Sequence, residues 1–154
     1  MRVIVWGIVL LVVVFIAYLF ILGVRSKSGA AAGLVDDELA QCGPKPNCVC
    51  SEQREQDDFY IEPLRLNEGA AGSMTTLRTV VQEMGGELVS ETDTYLAATF
   101  TSGLFGFVDD LEVRLDQEEG VLHVRSASRV GHSDLGVNRK RVEQLRTLLQ
   151  EREK

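Results

Sequence analysis

The sequence predicts an α+β protein, in which an N-terminal transmembrane helix precedes one antiparallel-sheet domain with helices packed on one face. Three observations predict this architecture: an uncharged apolar run at the N-terminus, two pairs of β-forming segments joined by short polar turns, and helical patterns before and after those pairs. Hairpin-linked strands with helices apart from them are typical of a sheet covered on one face. We expect a membrane anchor over residues 1–24, a linker over 25–41 and the folded domain over 42–150.

The apolar run extends from Val3 to Val24, and only Gly7 and Gly23 among its 22 residues are not hydrophobic. As a helix it would be about 33 Å long, slightly more than the ~30 Å hydrocarbon core of a bilayer. We expect an uncleaved anchor, because the apolar region of a cleavable signal is usually about 7–15 residues long. Cleavage after the alanines at 30–32 stays as the alternative. Basic residues flank the run on both sides, so the positive-inside rule assigns no orientation.

The segment after the run, residues 25–41, is rich in Gly, Ala and Ser and closes with an acidic stretch. Such a composition is typical of a flexible spacer. We expect it to tether the folded domain to the membrane.

Three cysteines lie within nine residues, at Cys42, Cys48 and Cys50, with two prolines between the first two. Because the prolines restrict this loop, a Cys42–Cys48 disulfide is favoured over reduced thiols. A metal site is disfavoured, because the fourth ligand would have to be His123 or His132, far along the chain. Disulfides persist in oxidising compartments, which places the domain outside the cytoplasm, in the periplasm or its equivalent. Cys50 is left over for a bridge to a second chain, a Cys50-linked dimer.

The first half of the domain reads as a strand followed by a helix. Phe59–Leu66 is expected to be a strand near a sheet edge, because Pro63 cannot donate a hydrogen bond to a neighbouring strand. Gly69–Gly72 is expected to be a break. A helix then begins at Ser73, its N-cap, and stops at the two glycines 85–86.

The second half reads as two hairpins and a final helix. Glu87–Glu91 and Tyr95–Thr101 form the first predicted hairpin, and Phe107–Asp116 and Val121–Arg129 form the second. From Val137 onward the apolar residues recur at helical spacing.

Side-chain pattern predicts the register of the second hairpin. Pairing Asp116 with Val121 places the apolar residues of both strands on one face and sets Glu112 opposite Arg125, an oppositely charged pair. A slip by one residue would bring an apolar side chain against the arginine instead.

This register puts Asp109 on the apolar face, opposite Ser128. Polar groups at the end of a core face need hydrogen-bond partners. The aspartate is therefore expected either to belong to a structural cluster or to form the floor of a ligand site.

The last helix is expected to begin with Asn138 as its N-cap. Its first turn would then hold three cations, which oppose the helix dipole, unless the helix starts at Asp134. Such cations, with free backbone N–H groups, predict a site for a carboxylate or a phosphate, such as an anionic small molecule or a lipid headgroup. The alternative is that the arginines neutralise Asp109, Asp110 and Glu112. The candidate ligand-binding residues are Asp109, Arg125, Arg129, Asn138, Arg139 and Arg141.

Patterns that would indicate catalysis are weaker than the pattern that indicates anion binding. His132, Ser133 and Asp134 are triad residue types, but adjacency along the chain is not triad geometry. No nucleophile elbow, phosphate-binding loop, dinucleotide fingerprint or paired metal-ligand motif occurs in the sequence. We therefore expect no cofactor, and the sequence assigns no catalytic residue.

Three segments together resemble a known family: Asn47–Val49, Gly106–Asp110 and Val124–Arg139. They resemble the bacterial and plastid family of unknown function designated DUF1499, over about residues 41–149. The resemblance implies an envelope- or organelle-associated domain, and it carries no established activity, catalytic residue or cofactor. In the family pattern the position of Cys50 is usually serine, whereas the positions of Cys42 and Cys48 match, which supports pairing those two.

Charge and pattern together favour a binding function. Acidic residues outnumber basic ones by 23 to 16, a net charge of −7, so no nucleic acid partner is expected. The favoured hypothesis is a membrane-anchored extracytoplasmic domain that binds an anionic ligand or an envelope partner. The second is a structural subunit of a membrane complex. The third is an enzyme acting on an envelope lipid or metabolite, with Asp109 or His132 as acid or base.

Overall fold

A computed structural model describes residues 1–65 and 73–152. The helices are α1 (Arg2–Ser26), α2 (Ser73–Glu83) and α3 (Val137–Arg152). The strands are β1 (Leu34–Val35), β2 (Glu38–Leu39), β3 (Cys48–Cys50), β4 (Leu64–Arg65), β5 (Glu87–Glu91), β6 (Tyr95–Thr101), β7 (Val108–Asp116) and β8 (Val121–Ser128). The structure confirms the predicted α+β class: a long apolar helix precedes an antiparallel sheet with helices packed on it.

The main sheet has the order β3-β8-β7-β6-β5, with β4 also paired to β8, and its strand pairs are antiparallel. Strands β5 and β6 have the predicted bounds, and β7 and β8 lie within one residue of theirs. The predicted register is confirmed: Asp116 pairs with Val121, and Glu112 pairs with Arg125. Alternating side chains specified this register because a one-residue slip would expose the whole apolar face.

The core lies between one face of the sheet and helices α2 and α3. Strand β7 contributes Leu111 and Val113, and strand β8 contributes Leu122 and Val124. The helices contribute Leu77, Val80, Val81, Val142, Leu145 and Leu149. All of these side chains are buried, so the helices cover this face as their apolar stripes predict.

Part of the opposite face of the sheet is contacted by the segment expected to be a flexible spacer, so that segment is not a free tether along its whole length. Residues within it form the β1–β2 hairpin, and Leu39 is buried. The Gly33 N–H donates to Glu112 Oε1 at 2.6 Å. The segment packs against the sheet because the buried polar side chains of this face, such as Glu112, need hydrogen-bond partners. The composition of the segment alone does not show this requirement.

The strand expected over Phe59–Leu66 is shorter in the structure. Within this segment only β4 is a strand, and it pairs with β8. Tyr60 makes a single bridge to Cys50. Pro63 lies immediately before β4, where the missing N–H is tolerated. Leu66 and the break expected at Gly69–Gly72 lie outside the described residues.

Helix α1, with 25 residues, is long and apolar enough to cross a membrane. Its bounds extend the predicted span by one residue at the start and two at the end. Most of its large side chains are exposed. It is therefore a candidate membrane span, and its last turns contact the folded domain.

Candidate functional site at the end of the apolar helix

The last two turns of α1 pack directly against the domain. Gly23 and Ser26 are buried, and Leu19 and Leu22 are half-buried, in a helix that is otherwise almost entirely exposed. The Ser26 Oγ–H donates to the Gly23 carbonyl at 2.6 Å, and the same oxygen accepts the Val108 N–H at 3.1 Å. The helix is therefore joined to the first residue of β7 by side-chain contacts as well as by the chain.

The approach of α1 to the domain depends on a glycine. A Cβ atom built on Gly23 would overlap the Phe105 carbonyl oxygen, so only glycine fits at this position without a shift of the backbone. Beside it, the rings of Phe20 and Phe105 meet edge-on with centroids 5.2 Å apart. This close packing defines a junction, by which we mean the contact between residues 19–26 and the loop at 102–107.

Large apolar side chains on two loops near the junction are exposed. Leu104 is 73% exposed in the loop between β6 and β7, and Leu135 is 86% exposed in the loop between β8 and α3. Val137, at the start of α3, is also exposed. Sequence reasoning missed these residues, although single apolar residues between glycines and polar residues were visible in both loops.

A buried polar cluster lies on the helix-covered face of the sheet, beside the junction. The Asp109 carboxylate pairs with Arg141 at 2.7 Å. The Asn138 side chain donates to the Asn47 carbonyl and to Ser128 Oγ, both at 3.0 Å, and also accepts hydrogen bonds. The cluster ties the start of α3 to the sheet, as expected for polar groups at the end of a core face.

The predicted N-cap at Asn138 is wrong. The cap is the Asp134 carboxylate, which accepts the Gly136 N–H at 3.0 Å and the Asn138 N–H at 2.7 Å. An aspartate at this end of a helix has a favourable interaction with the dipole. It offsets the unfavourable effect of the first-turn cations, and the Asn138 side chain is left free to hydrogen-bond Asn47 and serines of β8.

Two candidate arginines lie on the opposite face of the sheet. Arg129 pairs with Asp110 at 2.7 Å, and hydrogen bonding to that carboxylate raises the pKa of Arg129. Arg125 pairs with Glu112 at 2.7 Å. The structure thus divides the candidate set between two faces: successive residues of a strand point to opposite sides, so Arg125 lies on the face of Asp110 and Glu112, away from Asp109.

The cations of the candidate set are therefore mostly paired with carboxylates of the same chain, as the alternative interpretation held. Arg125, Arg129 and Arg141 each pair with a different carboxylate of β7, namely Glu112, Asp110 and Asp109 in that order. Arg139 is half-exposed and donates to the Asp58 carbonyl at 3.2 Å, and Lys140 is exposed. Among the described residues, neither Arg139 nor Lys140 forms a salt bridge, so these two remain available to an external anion.

A cavity of about 300 Å³ lies at the junction, between α1 and the two loops. Its apolar lining consists of Leu19, Leu22, Phe107, Val108, Val130 and Val137. A second cavity of about 240 Å³ shares Val137 with the first, and its lining includes Phe100 and Lys140. The first volume lies at the lower end of the range for ligand pockets.

A group of catalytic residue types that sequence reasoning missed lies far from the junction. Ser51 Oγ and His123 Nδ1 are 3.1 Å apart, and His123 Nε2 is 3.9 Å from a Glu52 oxygen. Burial lowers the pKa of His123. The serine oxygen also accepts the Val124 N–H at 2.9 Å, and serine and histidine are both buried, so this group stabilises the sheet edge.

Two of the three triad residue types noted in the sequence, Ser133 and Asp134, serve local structure. His132 is exposed, Ser133 Oγ accepts the Leu135 N–H, and Asp134 is the helix cap. Within residues 1–65 and 73–152, no cluster of three or more His, Cys, Asp or Glu side chains is arranged to hold a metal ion.

Cys42 and Cys48 form the expected disulfide. Cys50 is a free thiol, fully buried in β3, and burial raises its pKa. A Cys50-linked dimer stays a prediction, and the sulfur could reach a second chain only if the side chains packed over it, among them Leu39 and Phe59, moved away.

Comparison with known proteins identifies a family. No curated protein and no solved structure matches the chain. The pattern of one protein family, described as protein of unknown function (DUF1499), matches residues 38–149. This range contains the disulfide, the sheet, the polar cluster and nearly all of α3, and covers more than half of the chain. The protein therefore belongs to the DUF1499 family.

Proposed function

We propose that this protein is a single-pass membrane protein whose DUF1499 domain lies outside the cytoplasm and binds the anionic headgroups of the bilayer that α1 spans. The observation that carries the proposal is the junction, where the apolar helix enters the domain beside two loops that expose large apolar side chains. Exposed apolar residues next to a membrane span favour contact with the membrane.

Helix length supports a domain seated on the bilayer. Residues 3–22 form a helix of about 30 Å, which equals the hydrocarbon thickness. Gly23 and Ser26 then lie at the interface, and so do the loops they contact. Leu104 and Leu135 would enter the headgroup region, where apolar side chains leave water.

The charge distribution agrees with this orientation. The cations at or near the junction include Arg25, Lys27, Arg139 and Lys140, while the turns at the other end of the sheet carry Asp93, Glu118 and Glu119. A basic residue near an anionic membrane surface contributes about 1 kcal/mol of binding free energy. The anionic ligand predicted from the sequence is, in this proposal, a lipid headgroup, contacted by Arg139 and Lys140 and not by the arginines already paired with β7.

The disulfide supports the location of the domain. A Cys42–Cys48 bridge persists where the surroundings are oxidising, which is the side of the membrane away from the cytoplasm. The N-terminus and Arg2 would then face the cytoplasm.

The single tryptophan of the protein, Trp6 in α1, allows a direct test. The full chain is reconstituted into vesicles whose lipids carry brominated acyl chains, which quench tryptophan near the hydrocarbon region. One variant combines Trp6→Phe with Leu104→Trp, and its matched control combines Trp6→Phe with Val89→Trp. Val89 is 58% exposed on β5, away from the junction.

We expect quenching of Trp6 and of the tryptophan at position 104, and none at position 89. Quenching at 104 should be stronger in anionic than in neutral vesicles, and Lys140→Gln should reduce that difference. An unquenched Trp6 would refute the membrane span. A quenched Trp6 with an unquenched tryptophan at 104 would refute the seating of the domain on the bilayer.

A further inference from the structure

We infer that the junction cavity is a binding site for one acyl chain of a bilayer lipid. The inference rests on the proposed membrane span and goes beyond headgroup binding, because it assigns an interior site to the hydrocarbon part of the lipid. The cavity is bounded on one side by Leu19 and Leu22 of α1 and on the other by the domain.

The position of the cavity along α1 favours a lipid chain as the occupant. Leu19 and Leu22 lie in the last turns of a helix whose other faces are exposed and apolar. In the bilayer those faces contact acyl chains, and the cavity continues the same surface inward between helix and domain. A chain can therefore enter sideways from the bilayer without crossing water.

The polar side chains around the cavity do not require a polar ligand, because each has a partner within the chain. Asp109 pairs with Arg141, and Asp134 caps α3. Ser128 accepts from Asn138 at 3.0 Å.

The two remaining serines of the lining behave in the same way. Ser102 Oγ accepts the Phe107 N–H at 3.0 Å, and Ser133 Oγ accepts the Leu135 N–H at 3.3 Å. The lining is therefore mostly apolar, and its polar side chains are already hydrogen-bonded or paired, which suits a hydrocarbon chain better than a free anion.

The size of the cavity is consistent with one acyl chain and excludes a whole lipid molecule. A cavity of about 300 Å³ is at the lower limit of ligand pockets, so it holds part of a chain while the headgroup remains outside. Lys140 and Arg139 lie on the first turn of α3, next to Val137 of the lining. A headgroup phosphate outside the cavity would thus lie near the two cations that are free of carboxylate partners.

The test uses the full chain in vesicles that contain a phosphatidylglycerol with a photoactivatable diazirine on one acyl chain. After illumination, mass spectrometry locates the labelled residues. The blocking variant is Leu22→Trp, which fills the cavity from the α1 side. The matched control is Ile21→Trp, which makes a similar change one residue earlier, at a side chain that is 58% exposed.

We expect label on Phe107, Val108 or Val130 in the wild-type protein, and label on exposed residues of α1. Leu22→Trp should lower the labelling of the domain residues about tenfold, because the indole occupies the space of the chain. Ile21→Trp should leave that labelling unchanged.

Three outcomes would overturn the inference: no label on the cavity residues of the wild type, equal labelling of those residues in Leu22→Trp, or equal loss in both variants. Label on α1 without label on the domain would remove the chain site and leave the membrane span standing. Absence of label on α1 would refute the span itself. A soluble fatty-acid diazirine, added in parallel, distinguishes a bilayer lipid from a free fatty acid: labelling by that probe alone would overturn a bilayer source.

Discussion

At the scale of single residues, Glu112 shows how the polar face of the sheet is held. Its fully buried carboxylate accepts from Arg125 Nη1 at 2.7 Å, from the Tyr95 hydroxyl at 2.8 Å and from the Gly33 N–H at 2.6 Å. Burial, together with the hydrogen bond to Glu112, raises the pKa of Tyr95, so the phenol stays protonated as a donor. One carboxylate thus joins β6, β7, β8 and the segment before β1.

Glu112→Gln should strongly destabilise the domain. The amide keeps the shape but leaves the Arg125 guanidinium buried without its counter-charge, and removing one partner of a buried ion pair costs about 3–5 kcal/mol of the free energy of unfolding. Within the described residues, Arg125 Nε already lacks a hydrogen-bond partner. Urea denaturation of the full chain in detergent measures the change.

The matched control is Glu119→Gln. Glu119 lies 3.6 Å from Arg54 in an exposed pair, and such pairs contribute at most about 1 kcal/mol. Similar losses in the two variants would show that the Glu112 pair is not the stabilising contact described above.

At the scale of elements, the junction joins α1 to the loop before β7 through one glycine and one serine. Gly23 leaves room for the Phe105 carbonyl because it has no side chain. Ser26 Oγ accepts the hydrogen bond from the Val108 N–H. The sequence does not reveal this role: Gly23 is one of two glycines in the apolar run, and Ser26 lies just after the run ends. Their role follows from a loop about 80 residues away.

Gly23→Ala should open the junction, because the added methyl group would overlap the Phe105 carbonyl. The Val108 amide then loses its acceptor, and we expect its hydrogen exchange to accelerate about tenfold or more. Exchange monitored by mass spectrometry on the full chain in nanodiscs measures this.

Gly7→Ala is the control, because a Cβ atom at Gly7 meets nothing within 4 Å. Both substitutions raise helix propensity equally, so propensity cannot cause a difference between them. Unchanged protection of Val108 in Gly23→Ala would mean that helix and domain are not held together there.

At the scale of the whole molecule, the proposed orientation has a chemical consequence for the three cysteines. Protein taken from its own membrane, unfolded without reductant and alkylated, should react at Cys50 alone, since Cys42 and Cys48 are bonded to each other. After reduction all three should react, and the free energy of unfolding should fall by roughly 2 kcal/mol. Mass spectrometry counts the alkyl groups; three without reductant would place the domain in a reducing compartment.

Much of the fold could be predicted because its signals are local. The hairpins, their register and the Glu112–Arg125 pair follow from the alternation of apolar and polar residues along two adjacent strands. The long apolar helix α1 follows from the length and apolarity of the N-terminal run, and the Cys42–Cys48 pair from a short loop with two prolines. Each of these depends on residues close together in the chain.

The candidate site was only partly predictable because it depends on contacts between distant segments. Asn138 looked like a helix cap, yet its side chain bonds Asn47 and Ser128, and Asp134 caps the helix instead. A good capping residue is also a good buried hydrogen-bonding residue, and only the packing of α3 on β8 distinguishes the two roles. The same alternation that specified the register separates Arg125 and Arg129 from Asp109 and Arg141.

The sequence by itself determined the α+β class, the strand register, the disulfide and an N-terminal helix able to span a membrane, because those properties arise from periodicity, composition and short loops. Tertiary structure decided that parts of residues 25–41 pack against the sheet, that the β7 carboxylates neutralise most of the candidate arginines, and that α1 forms one wall of a cavity. The physical reason is that buried charges and close backbone approaches are satisfied by whichever partners the fold brings within about 3 Å. Those partners lie up to about 100 residues apart, as Ser26 and Arg129 do.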